Sequence, residues 1–182
     1  MSIPTSQSPK VLKRSKAGRR VLGIDPGLAG TGWGVLDDID GKVLYVDHGV
    51  IETKADRPRA ERLFFIMQEI RSIIDKFNPA CAAIETLYFG KNVTSAIPVA
   101  EARGVISAVL AEKGVSLREF APNAIKLGVT GHARADKEQV QEMVRIFLGL
   151  EKIPKPDHAA DALGAAICAV NEPEILSKIP KG

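Results

Sequence analysis

From Val21 onward the apolar residues follow two rhythms, one of period two and one near 3.6, and the changes between them mark out the elements. VLGID is a short apolar run that ends at a Pro-Gly turn, and TGWGVLD behind it alternates like a second strand. KVLYVDHGVIET follows Asp40-Gly41, a pair suited to a tight hairpin, so the three runs predict an antiparallel meander. Residues 59–77 then place Leu63, Ile66, Met67, Ile70, Ile73, Ile74 and Phe77 at helical spacing, closed by Asn78-Pro79. ACAAIE, residues 80–85, is continuously apolar up to its last position and predicts a strand buried on both faces. A loop and a helix across residues 93–113 follow, ended by Gly114. VSLREF supplies a fifth strand, and AIKLGV, DKEQVQEMVRIFLGL and DHAADALGAAICAV predict three more helical segments. Hairpin strands followed by alternating helix and strand imply an α/β protein with a mixed five-stranded sheet and helices on both faces.

Length fits a single core: 182 residues with 45% hydrophobic side chains suffice for one domain and fall short of two ordinary ones. The pattern divides the chain into a basic N-terminal tail at residues 1–20, expected to be disordered, a folded domain at 21–171 and a C-terminal tail at 172–182. No apolar run reaches the roughly 20 residues needed to cross a bilayer, and the N-terminus lacks the apolar stretch of a secretory signal, so a cytoplasmic protein with no membrane partner is expected. Cys81 and Cys168 each sit in an apolar stretch without metal-knuckle spacing, and are read as reduced core thiols. The net charge of +3 conceals an asymmetry. Residues 1–20 hold six of the 25 Lys and Arg and no acid, leaving 19 basic against 22 acidic residues in the body. Bulk charge therefore gives little support to nucleic-acid binding, and any such site must be a local patch. The tail is acid-free and Ser-rich like a transit peptide, and suits an electrostatic DNA arm equally well.

Candidate chemistry begins with carboxylates at the ends of elements. Asp25 closes the first strand and Glu85 closes the buried strand, and an acid ending an apolar strand is costly unless it is solvated, paired or metal-bound. Adjacent parallel pairing of those strands would bring both acids to one edge. In D-H-A-A-D, His158 and Asp161 are three apart and share a side near a helix N-terminus. Clustered carboxylates repel one another until a cation neutralises them, and hard oxygen donors select Mg²⁺ or Mn²⁺. Two such ions about 4 Å apart can hydrolyse a phosphodiester. Taken singly, Asp25 also reads as a turn former, Glu85 as a solvated edge and Asp157 as a helix cap. Acids at the ends of three separate elements, in the order strand, strand, helix, favour the metal site. This element order resembles the ribonuclease H-like fold.

GIDPG, the AIE-aromatic-loop-KN segment, EARGV, APNAIKLGVTG and HAADAL resemble, in order and spacing, the bacterial RuvC resolvases, from about Val21 to Val170. The resemblance implies a crossover junction endodeoxyribonuclease that resolves four-way (Holliday) DNA junctions by paired symmetric nicks in recombination and repair. It also implies a homodimer with two active sites, working with a branch-migration motor of the RuvA and RuvB type. Asp25, Glu85 and Asp161 match the family's metal ligands, and the resemblance implies Mg²⁺ as cofactor, two ions in each site, with Mn²⁺ able to substitute. His158 stands where many members carry Asp, and is either a ligand or a water-activating base. Tyr88 matches an aromatic that stacks on an unpaired base at the junction centre, a contact worth about 1 to 3 kcal/mol per base, and Phe89 follows it. Lys91 and Asn92 continue this loop as phosphate contacts. Lys126 and Lys137 match lysines that contact DNA and stabilise the developing charge of the transition state. GVISAVLAEKG resembles the family's dimerisation helix and also reads as an ordinary core helix. Gly27, Gly30, Gly32 and Gly34 read as turn and close-packing positions.

Three other readings stay in view. GIDPGLAGTGWGV also resembles the first phosphate loop of actin-like ATPases, which need a second loop and about twice this length. A nuclease of the same fold acting on RNA precursors, and a junction-binding scaffold with a degenerate site, are the others; the intact Asp25, Glu85 and Asp161 set opposes the last.

Overall fold

The turn at Asp40-Gly41 has both residues in the left-handed region, at φ 54° and 82°, the geometry that lets a two-residue turn match the twist of the strands it joins. The computed structural model describes residues 18–87 and 93–171. In chain order these form β1 (Arg19–Asp25), β2 (Gly30–Ile39), β3 (Lys42–Glu52), α1 (Arg59–Phe77), β4 (Cys81–Glu85), α2 (Val93–Glu112), β5 (Ser116–Phe120), α3 (Pro122–Thr130), α4 (Lys137–Phe147) and α5 (Asp157–Asn171). The five strands make one sheet in the order β3-β2-β1-β4-β5. β1, β2 and β3 pair antiparallel, whereas β4 joins β1 and β5 joins β4 in parallel, so the sheet is mixed as the pattern requires.

Strand alternation sends side chains to opposite faces. Leu22, Ile24 and Val35 pack with Ile66, Ile70, Ile106 and Leu110 of α1 and α2. Val21, Leu36, Cys81 and Ala83 pack with Ile125, Val129, Val144, Leu163 and Ile167 of α3, α4 and α5 on the other side. Asp25 follows Val21 and Gly23 in phase, and Glu85 follows Cys81 and Ala83. Both acids therefore belong to the face that α5 covers.

α5 is rich in small residues, with Ala159, Ala160, Ala162, Ala165, Ala166 and Gly164 all buried, and it lies almost against the backbone of the sheet. A Cβ placed on Gly23 would collide with the carbonyl oxygen of Ala162, and one on Gly32 with that of His158. Helix and strand are in contact at the level of main chain. No side-chain adjustment could relieve either clash, because the opposing atoms are backbone.

Several boundaries differ from the sequence pattern. β1 begins at Arg19, so Arg19 and Arg20 belong to the sheet and not to a tail ending at residue 20. Arg20 donates from Nε and Nη2 to the two carboxylate oxygens of Asp37, each at 2.8 Å, and from Nη1 to the Phe77 carbonyl at 3.0 Å. Arg19 donates to the Ala169 carbonyl at the end of α5 at 2.9 Å. Their structural partners explain why two apparent tail charges belong to the fold. β2 is also longer than its alternating core suggests, with a register shift between Val35 and Leu36. Cys81 and Cys168 are buried, as expected of core thiols. No helix among the described residues is long and apolar enough to cross a membrane.

Main-chain contact at Gly23 makes a direct prediction. Gly23→Ala should destabilise the fold by about 1–3 kcal/mol, the usual cost of forcing an extra carbon into a packed interior. Equilibrium urea unfolding measures it, and a loss below about 0.5 kcal/mol would show that α5 can move off the sheet without penalty.

Candidate active site

β1 and β4 run in parallel with Ile24 opposite Ile84, so the next position on each strand brings Asp25 beside Glu85 at one edge of the sheet. α5 begins over the same edge. His158, in its first turn, has Nδ1 2.6 Å from Oδ2 of Asp25. Asp161, one turn further along, has Oδ2 3.4 Å from Nζ of Lys137, the first residue of α4. Lys137 also lies 3.3 Å from Asp157, and Lys155 is 3.1 Å from the other oxygen of that carboxylate. The turn behind Asp25 is pinned by Thr31, a fully buried residue whose hydroxyl donates to the Gly27 carbonyl at 2.7 Å.

The carboxylates feel one another. Burial first, and then the charge of Asp161, raise the Asp25 carboxyl above its ordinary value, against the opposing hydrogen bond from His158 and charge of Lys137. Glu85 is raised by desolvation and then by Asp25 and Asp161, with Lys126 opposing. For Lys137, desolvation alone would lower the ammonium, but the Asp161 and Asp157 carboxylates overcome it and raise the group. Three acids thus share one electrostatic environment, with Lys126 and Lys137 as counter-charges and His158 hydrogen-bonded to Asp25.

Three carboxylates and an imidazole are a donor set suited to a hard divalent cation, and burial with mutual repulsion is the penalty such a cation relieves. The side chains do not yet close on a common point. Among the described residues no group of three His, Cys, Asp or Glu side chains is gathered closely enough to hold an ion as it stands. Instead His158 contacts Asp25 and Lys137 contacts Asp161. Asp25, Glu85, His158, Asp161, Lys126 and Lys137 are therefore brought together at one edge, whereas Tyr88, Phe89, Lys91 and Asn92 lie outside the described residues.

Sequence reading did not single out Arg103 on α2 for any contact. Its Nη1 donates to the carbonyl of Glu85 at 2.5 Å, and its Nη2 lies 2.9 Å from Oε1 of Glu119 on β5. Arg103 stands within EARGV, but its partners are 18 and 16 positions away, and no local period announces such a pairing. Asp157 reads from sequence as a helix cap; its carboxylate is shared between Lys137 and Lys155.

Comparison with known proteins gives a consistent result. The family pattern described as crossover junction endodeoxyribonuclease RuvC matches residues 21–169. A crossover junction endodeoxyribonuclease RuvC from Roseiflexus sp. (strain RS-1) is 46% identical over 163 residues, covering 90% of this chain and 97% of its own. That of Treponema denticola is 51% identical over 151 residues, covering 83% and 85%. Among solved structures, T. thermophilus RuvC in complex with Holliday junction substrate superposes with a TM-score of 0.77 at 34% identity, over 82% of this chain and 92% of that one. The yeast mitochondrial Holliday junction resolvase shares the fold at a TM-score of 0.62 and 17% identity, over 85% of this chain and 78% of that one.

The raised Asp25 carboxyl has a pH signature in metal-free protein. A raised value means that the folded state favours the protonated form; that contribution is complete below the unfolded value of about 3.9 and is lost as pH rises through the higher folded value. In EDTA, the stability of the wild type relative to Asp25→Asn should fall as pH increases from about 4 towards 7. Urea unfolding of both proteins across that range tests this, and a relative stability that rises with pH would contradict the assigned direction.

Proposed function

The chain belongs to the crossover junction endodeoxyribonuclease RuvC family, and on that footing we propose that it resolves four-way DNA junctions by paired, symmetric hydrolytic nicks in recombination and repair. It is a hydrolase of a metal-dependent nuclease family. The observation that carries the proposal to particular residues is the meeting of Asp25, Glu85 and Asp161 from two strands and a helix, with the first two raised by burial and mutual repulsion. We assign these three acids and His158 as the metal ligands, with Mg²⁺ the expected ion and Mn²⁺ an effective substitute. Bound there as a pair, the metal would supply an activated water and stabilise the leaving oxygen of the phosphodiester.

The chain's own residues divide the remaining work. Lys137 and Lys126 stand beside Asp161 and Glu85, where their charge can meet a scissile phosphate as negative charge develops on it. Lys137 pairs with Asp157 and Asp161; were Asp161 to hold a cation, the Lys137 ammonium would be available to the DNA backbone. Tyr88 is assigned to stacking on an unpaired base, with Phe89, Lys91 and Asn92 beside it along the strand. Residues 19–171, with Arg19 and Arg20 in β1, are assigned as the nuclease domain and the basic segment before them as an electrostatic arm. Cutting two opposed strands requires two sites related by a two-fold axis, hence a homodimer, for which α2, with Ile97 exposed, is the candidate contact element. A branch-migration motor of the RuvA and RuvB type, acting in the cytoplasm, completes the assignment.

Asp25→Asn or Glu85→Gln should abolish nicking of a mobile synthetic four-way junction in Mg²⁺ or Mn²⁺ while retaining junction binding, since phosphate contacts and shape carry affinity and the metal carries the chemistry. Wild type should leave symmetric nicks with ligatable ends and spare linear duplex. Cleavage that survives in either variant removes that residue from the site.

His158 yields a separate outcome. Mg²⁺ strongly prefers oxygen donors whereas Mn²⁺ accepts nitrogen, so the ratio of Mn²⁺- to Mg²⁺-supported single-turnover rates should be larger for wild type than for His158→Asp. Equal ratios would show that His158 is not a ligand.

A further inference from the structure

β4 stops at Glu85 with uneven support. On the β5 side Glu85 pairs with Phe120, and the Thr86 amide donates to the Phe120 carbonyl at 2.8 Å. On the β1 side the ladder ends one residue earlier, at Ile24 opposite Ile84. The last peptide of the strand, the one from which the Glu85 side chain projects, therefore has sheet pairing on one side only. Its carbonyl is taken by Arg103, reaching across from α2.

Arg103 is unusually enclosed for a cation, with only 15% of its side chain exposed against 48% for Glu119. Burying a guanidinium is costly unless its donors are used, and two of them are: Nη1 on the Glu85 carbonyl at 2.5 Å and Nη2 on Glu119 at 2.9 Å. The planar fork holds both acceptors in a fixed relation, which a flexible ammonium could not do. One side chain on the helix layer thus ties the end of β4 to the neighbouring edge strand.

We infer that Arg103 is a positioning residue for the metal site, holding the Glu85 peptide through its carbonyl and so fixing the place of the Glu85 carboxylate relative to Asp25. The inference rests on the assignment of Glu85 as a ligand. It makes Arg103 act through another residue, without touching DNA or metal.

Mn²⁺ binding to the full-length protein by calorimetry, without DNA, provides the readout. Arg103→Ala should weaken Mn²⁺ binding about tenfold, the lower end of what loss of a supporting contact costs a metal site. Junction affinity in EDTA should stay within about twofold of wild type, because phosphate contacts carry it. Single-turnover nicking should fall at limiting Mn²⁺ and recover as Mn²⁺ is raised. Arg103→Lys, which reaches one acceptor at a time, should lie between alanine and wild type. Wild-type Mn²⁺ affinity in folded Arg103→Ala overturns the inference; should that variant not fold, wild-type affinity in Arg103→Lys overturns it equally. A wild type that binds Mn²⁺ but cuts no junction would instead refute the proposed function and leave the Arg103 result standing. A wild type that binds no Mn²⁺ overturns the metal site and this inference together.

Discussion

The backbone of α5 rests on the backbone of β1 and β2, with Gly23 under Ala162 and Gly32 under His158 leaving no room for a side chain between them. Interiors pack at near-crystalline density, so a contact of this kind fixes the height of the helix above the sheet as well as its presence there. His158 and Asp161 ride on that helix, whereas Asp25 and Glu85 project from the strands beneath it. The separation of the side chains assigned as ligands, drawn from two strands and a helix, is thus set by glycines that have no chemistry of their own.

Bringing acids together in this way costs stability. Asp25 and Glu85 both sit above their ordinary values, burial being the larger cause and neighbouring carboxylates the next. The His158 hydrogen bond and the charges of Lys126 and Lys137 offset part of that cost, and a cation bound as proposed would relieve the rest. Local conflicts of this kind are expected where function is located, and the apolar layers on either side of the sheet supply the stability that tolerates it. Each fully buried Ile or Leu of those layers contributes about 1.5–3 kcal/mol.

Much of this was legible in the chain. A short apolar run ended by Pro-Gly located β1, alternation located β2, the Asp40-Gly41 turn located β3, the unbroken ACAAIE run located β4, and helical spacing located α1 within its observed ends, because burial on one or two faces leaves a direct trace in residue order. Asp25 and Glu85 were visible because each is a charged residue terminating an apolar strand. What escaped notice depends on three dimensions. Arg19 and Arg20 look like the end of a basic tail, yet their partners Asp37, Asp38 and the end of α5 lie far along the chain. Gly23 looks like any strand glycine until α5 is laid over it. Arg103 and its two acceptors occupy separate elements, and nothing local to EARGV points to β4. The element order and the resemblance to RuvC supplied what periodicity could not, namely which ends of which elements meet.

Gly32 offers the most direct test of the dependence of the site on helix seating, because it supplies no ligand and its missing side chain faces the His158 carbonyl. Calorimetric Mn²⁺ titration of folded Gly32→Ala, with circular dichroism confirming its helix content, should show affinity reduced by about tenfold or more although Asp25, Glu85, His158 and Asp161 are all intact. Affinity equal to wild type would mean that the ligands find one another regardless of where α5 sits, and would contradict the account.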